Sequence, residues 1–151
     1  MLFRSWFGDE ETGGFGGEGY AKAHAAERHV LAAESDFGAD RVWRFTTSFP
    51  ERASAVSDRL QAALAPLGIG RGTEEVHGGT DVEPTLALGV AGLDLSQSGM
   101  RYFDYHHTPE DTLDRIDPEQ LKQNVAAWAT MLAVVADAPE PIGPVQAHPA
   151  R

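Results

Sequence analysis

Short apolar runs that end in carboxylates are the first regularity along this chain. One apolar run covers residues 2–8 and stops at Asp9-Glu10-Glu11, and another covers 29–33 and stops at Glu34-Ser35-Asp36. Continuous apolar runs of this length are typical of buried strands in parallel sheets. Residues 18–28, which lie between the two runs, have helical composition. The pattern therefore predicts a β-α-β unit that brings both groups of carboxylates to one edge of a sheet.

The remaining chain alternates between strand-like and helix-like patterns. Residues 41–48 alternate between polar and apolar side chains as an edge strand does, and 90–95 form a further apolar run. Apolar spacing predicts helices beginning at Pro50 and Pro118 and a shorter helix over 80–88. These elements predict an α/β fold.

Two segments stand apart from this regular pattern. Residues 96–117 form a long loop with almost no apolar periodicity, and loops of this length in compact domains are usually functional. Residues 139–151 are rich in proline and are expected to form a frayed tail behind a domain that occupies 1–138.

Composition and charge narrow the class of protein. The 151 residues include 12 Lys and Arg against 23 Asp and Glu, a formal net charge of −11, which argues against a nucleic-acid-binding protein because such a protein needs a basic face. There is no cysteine, so disulfides and thiolate zinc sites are excluded. We find neither an apolar run long enough for a membrane span nor a signal-peptide pattern, and localisation stays open.

Possible ligands for a metal ion gather at the predicted strand ends and in the long loop. They are all carboxylates or imidazoles, a mixture that suits a catalytic zinc site with an open position for water. A spare carboxylate beside a ligand can serve as a general base toward that water. The alternative is structural, with solvated acidic loops and two solvated histidines. The candidates are Glu10 or Glu11, Glu34 or Asp36, and His106 or His107.

Four motifs then resemble those of one known family. Asp9-Glu10-Glu11, the Glu-Ser-Asp-Phe-Gly of 34–38, the Gly-Gly-Thr-Asp of 78–81 and the His-Thr-Pro-Glu-Asp-Thr of 107–112 follow the order and spacing of the co-catalytic di-zinc aminopeptidases and carboxypeptidases. The plasma glutamate carboxypeptidase branch is the most similar, and the resemblance runs from about residue 2 to residue 137. It implies a three-layer α-β-α sandwich with a mixed, largely parallel central sheet, here incomplete at its N-terminal side. It also implies a zinc-dependent exopeptidase that hydrolyses peptides or dipeptides with metal-activated water.

The resemblance also implies roles for single residues. Glu10 matches the general base, Glu11 and His107 match ligands of one zinc ion, and Asp36 matches a ligand of the other. The residues that match positions contacting the oxyanion or the substrate are His106, Tyr105 and Asp81.

One part of the family pattern is missing from this sequence. Relatives carry an upstream His and a bridging Asp, and no such pair precedes Glu10. The chain is therefore expected to be the C-terminal half of a catalytic domain, inactive alone and holding at most one zinc ion weakly, where full-length relatives hold two. A homodimer or a missing N-terminal half would be its partner. The alternative function is a non-catalytic α/β module for binding or assembly that retains the peptidase fold.

Overall fold

A four-stranded mixed sheet lies at the centre of the computed structural model, which describes residues 5–145. Its order is β1-β4-β2-β3, where β1 pairs with β4 and β2 with β3 in parallel, while β2 and β4 are antiparallel. The predicted mixed, largely parallel sheet is thus confirmed. The strands are β1 (Leu31–Ala32), β2 (Val42–Thr47), β3 (Gly70–Arg71) and β4 (Ala91–Gln97).

Helices cover both faces of this sheet. The two long helices, α3 and α6, pack on each other and on one face, where Phe45, Leu93 and Met131 are fully buried. A Cβ atom placed on Gly92 would point to the opposite face and lie 3.0 Å from the side chain of Leu86 in α4, which packs on α2. The three-layer arrangement is therefore also confirmed. The helices are α1 (Glu10–Gly13), α2 (Phe15–Ala23), α3 (Ser54–Leu64), α4 (Glu83–Leu86), α5 (Tyr102–Tyr105) and α6 (Pro118–Ala136), with 3-10 turns at Glu51–Ala53, Ala65–Leu67 and Leu113–Arg115.

The start of α6 follows from its sequence. The side chain of Asp117 accepts hydrogen bonds from the backbone N–H groups of Glu119 and Gln120, at 2.9 and 3.2 Å, and Pro118 occupies the first helical position. Further along this helix, the buried Gln123 accepts from the N–H of Val42 and donates to its carbonyl oxygen. The cap and this pair of bonds fix α6 against the beginning of β2.

The predicted first strand is wrong where it can be compared. Residues 5–8 form no strand, and residues 2–4 of that prediction lie outside the described residues. The carbonyl oxygen of Gly8 accepts a hydrogen bond from the N–H of Gly16 in α2, at 3.1 Å, so it serves a turn instead of a sheet. The three carboxylates consequently open helix α1 and do not follow a strand.

Two further expectations need correction. The edge position predicted for residues 41–48 is wrong, because β2 lies between β4 and β3. The expected fraying is wrong for residues 139–145, since Ile142 is buried among the apolar residues beside α3 and the N–H of Val145 donates to the carbonyl oxygen of Gly89. The domain boundary at residue 138 stays a prediction.

Among the helices of residues 5–145, none combines the length and the apolarity that crossing a membrane requires.

Candidate active site

A single helical turn presents the two glutamates of the first motif. Helix α1 has Glu10 and Glu11 in its first turn, and Asp9 precedes it with a positive φ of 61°. His107 also has a positive φ, 59°, and these two are the non-glycine residues of the described chain in that region. Residues other than glycine rarely adopt this backbone conformation, and where they do it is often at a functional site. One of these positions thus precedes the predicted base Glu10, and the other is the predicted ligand His107.

His107 and Glu11 are in direct contact although 96 positions separate them in the chain. The Nε2 atom of His107 lies 2.7 Å from Oε1 of Glu11, and both side chains are more than half exposed. Turns after α5 hold the histidine, since the N–H of Thr108 donates to the carbonyl oxygen of Tyr105. The structure therefore brings together two of the residues predicted to bind metal.

A column of stacked rings connects His107 with the loop that follows β1. The ring of His107 stacks on that of His106 at 3.7 Å, His106 stacks on Tyr102 at 4.5 Å, and Tyr102 stacks on Phe37 at 4.0 Å. Phe37 directly follows Asp36, so the column spans from one predicted ligand to another. His106 lies within it, whereas the ring of Tyr105 faces the guanidinium group of Arg115.

The carboxylates of this region repel one another. Burial raises the pKa of Asp81, and the charges of Glu10 and Asp36 raise it further. The Oδ1 atom of Asp81 is buried and has no hydrogen-bond partner among the described residues. Glu10 and Asp36 are therefore near enough to Asp81 for their charges to act on it.

Glu34 is a half-buried carboxylate that the sequence offered only as an alternative to Asp36. Its Oε2 atom accepts hydrogen bonds from the N–H groups of Asp81 and Val82, at 3.0 and 3.1 Å. Burial raises the pKa of Glu34 to about 7, and the charges of Asp81 and Asp36 act in the same direction against those two hydrogen bonds. The only sequence signal for this contact between Glu34 and the loop is the Gly-Gly pair of 78–79, which allows the loop to approach this carboxylate.

Tyr102 is a further residue that sequence reasoning missed. Burial raises the pKa of its hydroxyl group, and the charges of Asp36 and Glu11 contribute in the same direction. The hydroxyl group thus stays protonated at neutral pH and can donate a hydrogen bond. Its neighbour Arg101 pairs with Asp40 and donates to the carbonyl oxygen of Arg115, which joins the two ends of the long loop to each other and to the segment before β2.

The donor chemistry fits zinc, but the number of gathered donors is small. An imidazole nitrogen and a carboxylate oxygen are both ordinary zinc ligands. Within residues 5–145, however, no group of three or more His, Cys, Asp or Glu side chains is arranged to hold a metal ion. Glu11 and His107 are thus a pair, and the structure does not group Asp36 with them.

Comparisons with known proteins agree with this fold. The model of Peptidase family M28 matches residues 3–132, so this chain belongs to that family. Among curated relatives, carboxypeptidase Q of Rattus norvegicus is 32% identical over 133 residues and that of Homo sapiens 34% over 134 residues. Each alignment covers 87% of this chain and 28% of the relative, so the chain spans under a third of their length.

Two solved structures are similar to this chain. The Peptidase M28 precursor from Shewanella amazonensis SB2B has a TM-score of 0.86 and 44% identity, with 92% of this chain and 32% of that chain covered. An aminopeptidase from Aneurinibacillus sp. strain AM-1 has a TM-score of 0.52 and 25% identity, covering 96% of this chain and 35% of its own. The resemblance inferred from the four motifs is therefore confirmed at the level of the family.

Proposed function

We propose that this chain supplies the general base and part of the ligand set of a zinc-dependent M28 exopeptidase. The observation that carries the proposal is the 2.7 Å contact between His107 and Glu11, which unites two distant motifs. Membership of Peptidase family M28 supports the reaction class, and the names carboxypeptidase and aminopeptidase among its relatives support exopeptidase activity on peptides or dipeptides.

In this proposal Glu11 and His107 hold one zinc ion and Asp36 contributes to the other. Bound zinc would polarise the scissile carbonyl group and lower the pKa of a bound water molecule toward ~7. Burial raises the pKa of Asp81 and the charges of Glu10 and Asp36 raise it further, and the negative charge gathered by these three residues favours a cation at this place.

The chain's own residues then handle the proton and the substrate. Glu10 takes the proton from the water and passes it to the leaving amine, as a carboxylate beside a ligand can. Asp81 contributes to the wall of the substrate site. His106 and Tyr105 are candidates for contact with the oxyanion, and Tyr102 joins them because its hydroxyl group is a donor at neutral pH.

We further propose that residues 1–138 correspond to the C-terminal half of the catalytic domain and that the isolated chain does not hydrolyse peptides. The chain spans 28% of its curated relatives, and its described residues gather two close donors where a co-catalytic site needs more. Alone, the chain should hold at most one zinc ion, and weakly.

Zinc titration by calorimetry tests this proposal on the 151-residue chain. Glu11→Gln and His107→Ala should each weaken zinc binding about tenfold or more, because each removes one of few ligands. Glu10→Gln should weaken the affinity much less than either, since Glu10 contributes negative charge to the site but acts as a base and not as a ligand. His24→Ala is the matched control, because His24 contacts Glu27 outside the site.

The outcomes separate the alternatives. Two tight zinc sites in the isolated chain would refute the half-domain proposal. An equal loss of affinity in His24→Ala would refute the assignment of Glu11 and His107. Zinc-independent binding of peptides without hydrolysis, both in this chain and after it is joined to a complementary M28 half, would favour a non-catalytic binding module.

A further inference from the structure

The peptide unit that begins Asp81 is held by a half-buried carboxylate. A single oxygen of Glu34 accepts from two consecutive backbone N–H groups, those of Asp81 and Val82. The loop wraps this carboxylate so closely that a Cβ atom on Gly79 would lie 2.6 Å from its carboxyl carbon, and Gly79 has a φ of 96°. Only glycine meets both demands, which gives the Gly-Gly-Thr-Asp motif a physical reason.

The carbonyl side of Asp81 is held by helix α2. Gly17 lies in this helix, and a Cβ atom placed on it would overlap the carbonyl oxygen of Asp81. The backbone of α2 therefore rests directly on the backbone of Asp81. Asp81 is thus fixed between Glu34 on its N–H side and α2 on its carbonyl side.

Helix α2 is in turn joined closely to the turn that carries the glutamates. Only Gly14 separates α2 from α1, and the N–H of Gly16 donates to the carbonyl oxygen of Gly8 just before α1. A Cβ atom on Gly16 would lie 2.5 Å from that same oxygen. A displacement of α2 would therefore move Glu10 and Glu11 with it.

We propose that Glu34 is a positioning residue for the candidate active site. Acting through the backbone of Asp81 and through α2, it sets the place of Glu10 relative to the end of β1, where Asp36 lies. The functional meaning of that placement rests on the proposed function, in which Glu10 is the base and Asp36 a ligand. The mechanical link itself depends only on the contacts between Glu34, Asp81 and Gly17.

The chain offers a matched control for this link. Asp94 in the middle of β4 accepts hydrogen bonds from the N–H groups of His77 and Gly78, at 2.8 and 3.0 Å, in the earlier part of the same loop. Its two bonds are of the same kind as those of Glu34. They do not involve Asp81, so their loss should leave α2 in place.

The test measures the place of α2 by pulsed electron paramagnetic resonance. Because the chain has no cysteine, spin labels can be placed on cysteines that replace Lys22 of α2 and Lys122 of α6, both exposed. The parent and Glu34→Gln, which keeps a carbonyl acceptor, should give one narrow distance distribution. Glu34→Ala should broaden or shift it, and Asp94→Ala should leave it narrow.

Amide hydrogen exchange supplies the local readout. In Glu34→Ala, exchange at Asp81 and Val82 should rise about tenfold, the change expected for hydrogen bonds worth ~1.4 kcal/mol each, and Glu34→Gln should restore protection. An unchanged distance distribution in Glu34→Ala would overturn the proposal, as would equal broadening in Asp94→Ala.

A second variant carries the test if Glu34→Ala does not fold. Gly17→Ala forces α2 away from Asp81 while Glu34 keeps its two hydrogen bonds, so the label distance should change while the amides of Asp81 and Val82 stay protected. No change in distance would contradict the link. Because neither zinc nor peptide enters these measurements, their outcome is separate from that of the proposed peptidase function.

Discussion

Ionisation of Glu34 should make the metal-free chain less stable as pH rises. Burial beside Asp81 and Asp36 raises the pKa of this carboxyl from 4.5 to about 7 in the folded chain. Below the unfolded value both states are protonated and nothing is lost. Between the two values the folded state binds more protons than the unfolded state, so the free energy of unfolding falls with increasing pH.

The size of this effect follows from the pKa change. At about 1.4 kcal/mol per pKa unit, the full rise would correspond to ~3 kcal/mol. The group is partly exposed, and screening by solvent reduces this to ~1–2 kcal/mol. Glu34→Gln removes the ionisation but keeps an oxygen that can accept from Asp81 and Val82. The substitution should therefore be nearly neutral at low pH and stabilising above neutrality.

Urea unfolding followed by circular dichroism, in the presence of a chelator, measures this difference. Between about pH 4 and about pH 8, the parent should lose ~1–2 kcal/mol more stability than Glu34→Gln, since the other titrating groups cancel in the comparison. Asp94→Asn serves as the control, because it neutralises the other carboxylate that accepts hydrogen bonds from the backbone of this loop. Parallel pH profiles for the parent and Glu34→Gln would refute the reasoning.

Three further predictions concern helix α6. Gln123→Ala leaves the N–H and carbonyl groups of the buried Val42 without this partner and should cost ~1–3 kcal/mol in urea unfolding, whereas replacing the exposed Lys122 should cost little. Met131→Ala should cost ~2–5 kcal/mol in the same assay, because the side chain is fully buried. Hydrogen bonds from the N–H groups of Gln120 and Glu119 lower the pKa of Asp117 in the folded chain. The cap therefore stabilises the chain above pH 3.8, and this stabilisation is lost as pH falls through the lower pKa of the folded state. Asp117→Ala should reduce the melting temperature at neutral pH but not in strong acid.

Local patterns predicted much of the architecture. The Asp117-Pro118 pair marks the start of α6 because capping and a fixed proline φ act within a few residues. Apolar runs likewise indicated β1 and β4. The run over 5–8 misled, because apolarity records burial tendency and not the partner of each backbone group, and Gly8 bonds to Gly16.

The candidate site was predictable only in its residue types. Motif order indicated Glu11 and His107, and the fold brings them within 2.7 Å. Glu34 accepts hydrogen bonds from Asp81 and Val82, which lie 47 and 48 positions further along the chain, and no local sequence pattern encodes such a contact. Tertiary structure likewise determines the positive φ of Asp9 and His107. It also brings Tyr102 near the negative charges of Asp36 and Glu11.

The most direct test of the proposed function is whether His107 and Glu11 bind zinc together. Nitrogen NMR of the histidine rings during zinc addition reports ligation at each imidazole nitrogen. The Nε2 signal of His107 should shift on binding, with His24 and His29 unaffected, and Glu11→Gln should suppress that shift. Zinc bound in solution without a change at Nε2 of His107, or an undiminished shift in Glu11→Gln, would contradict the proposed site.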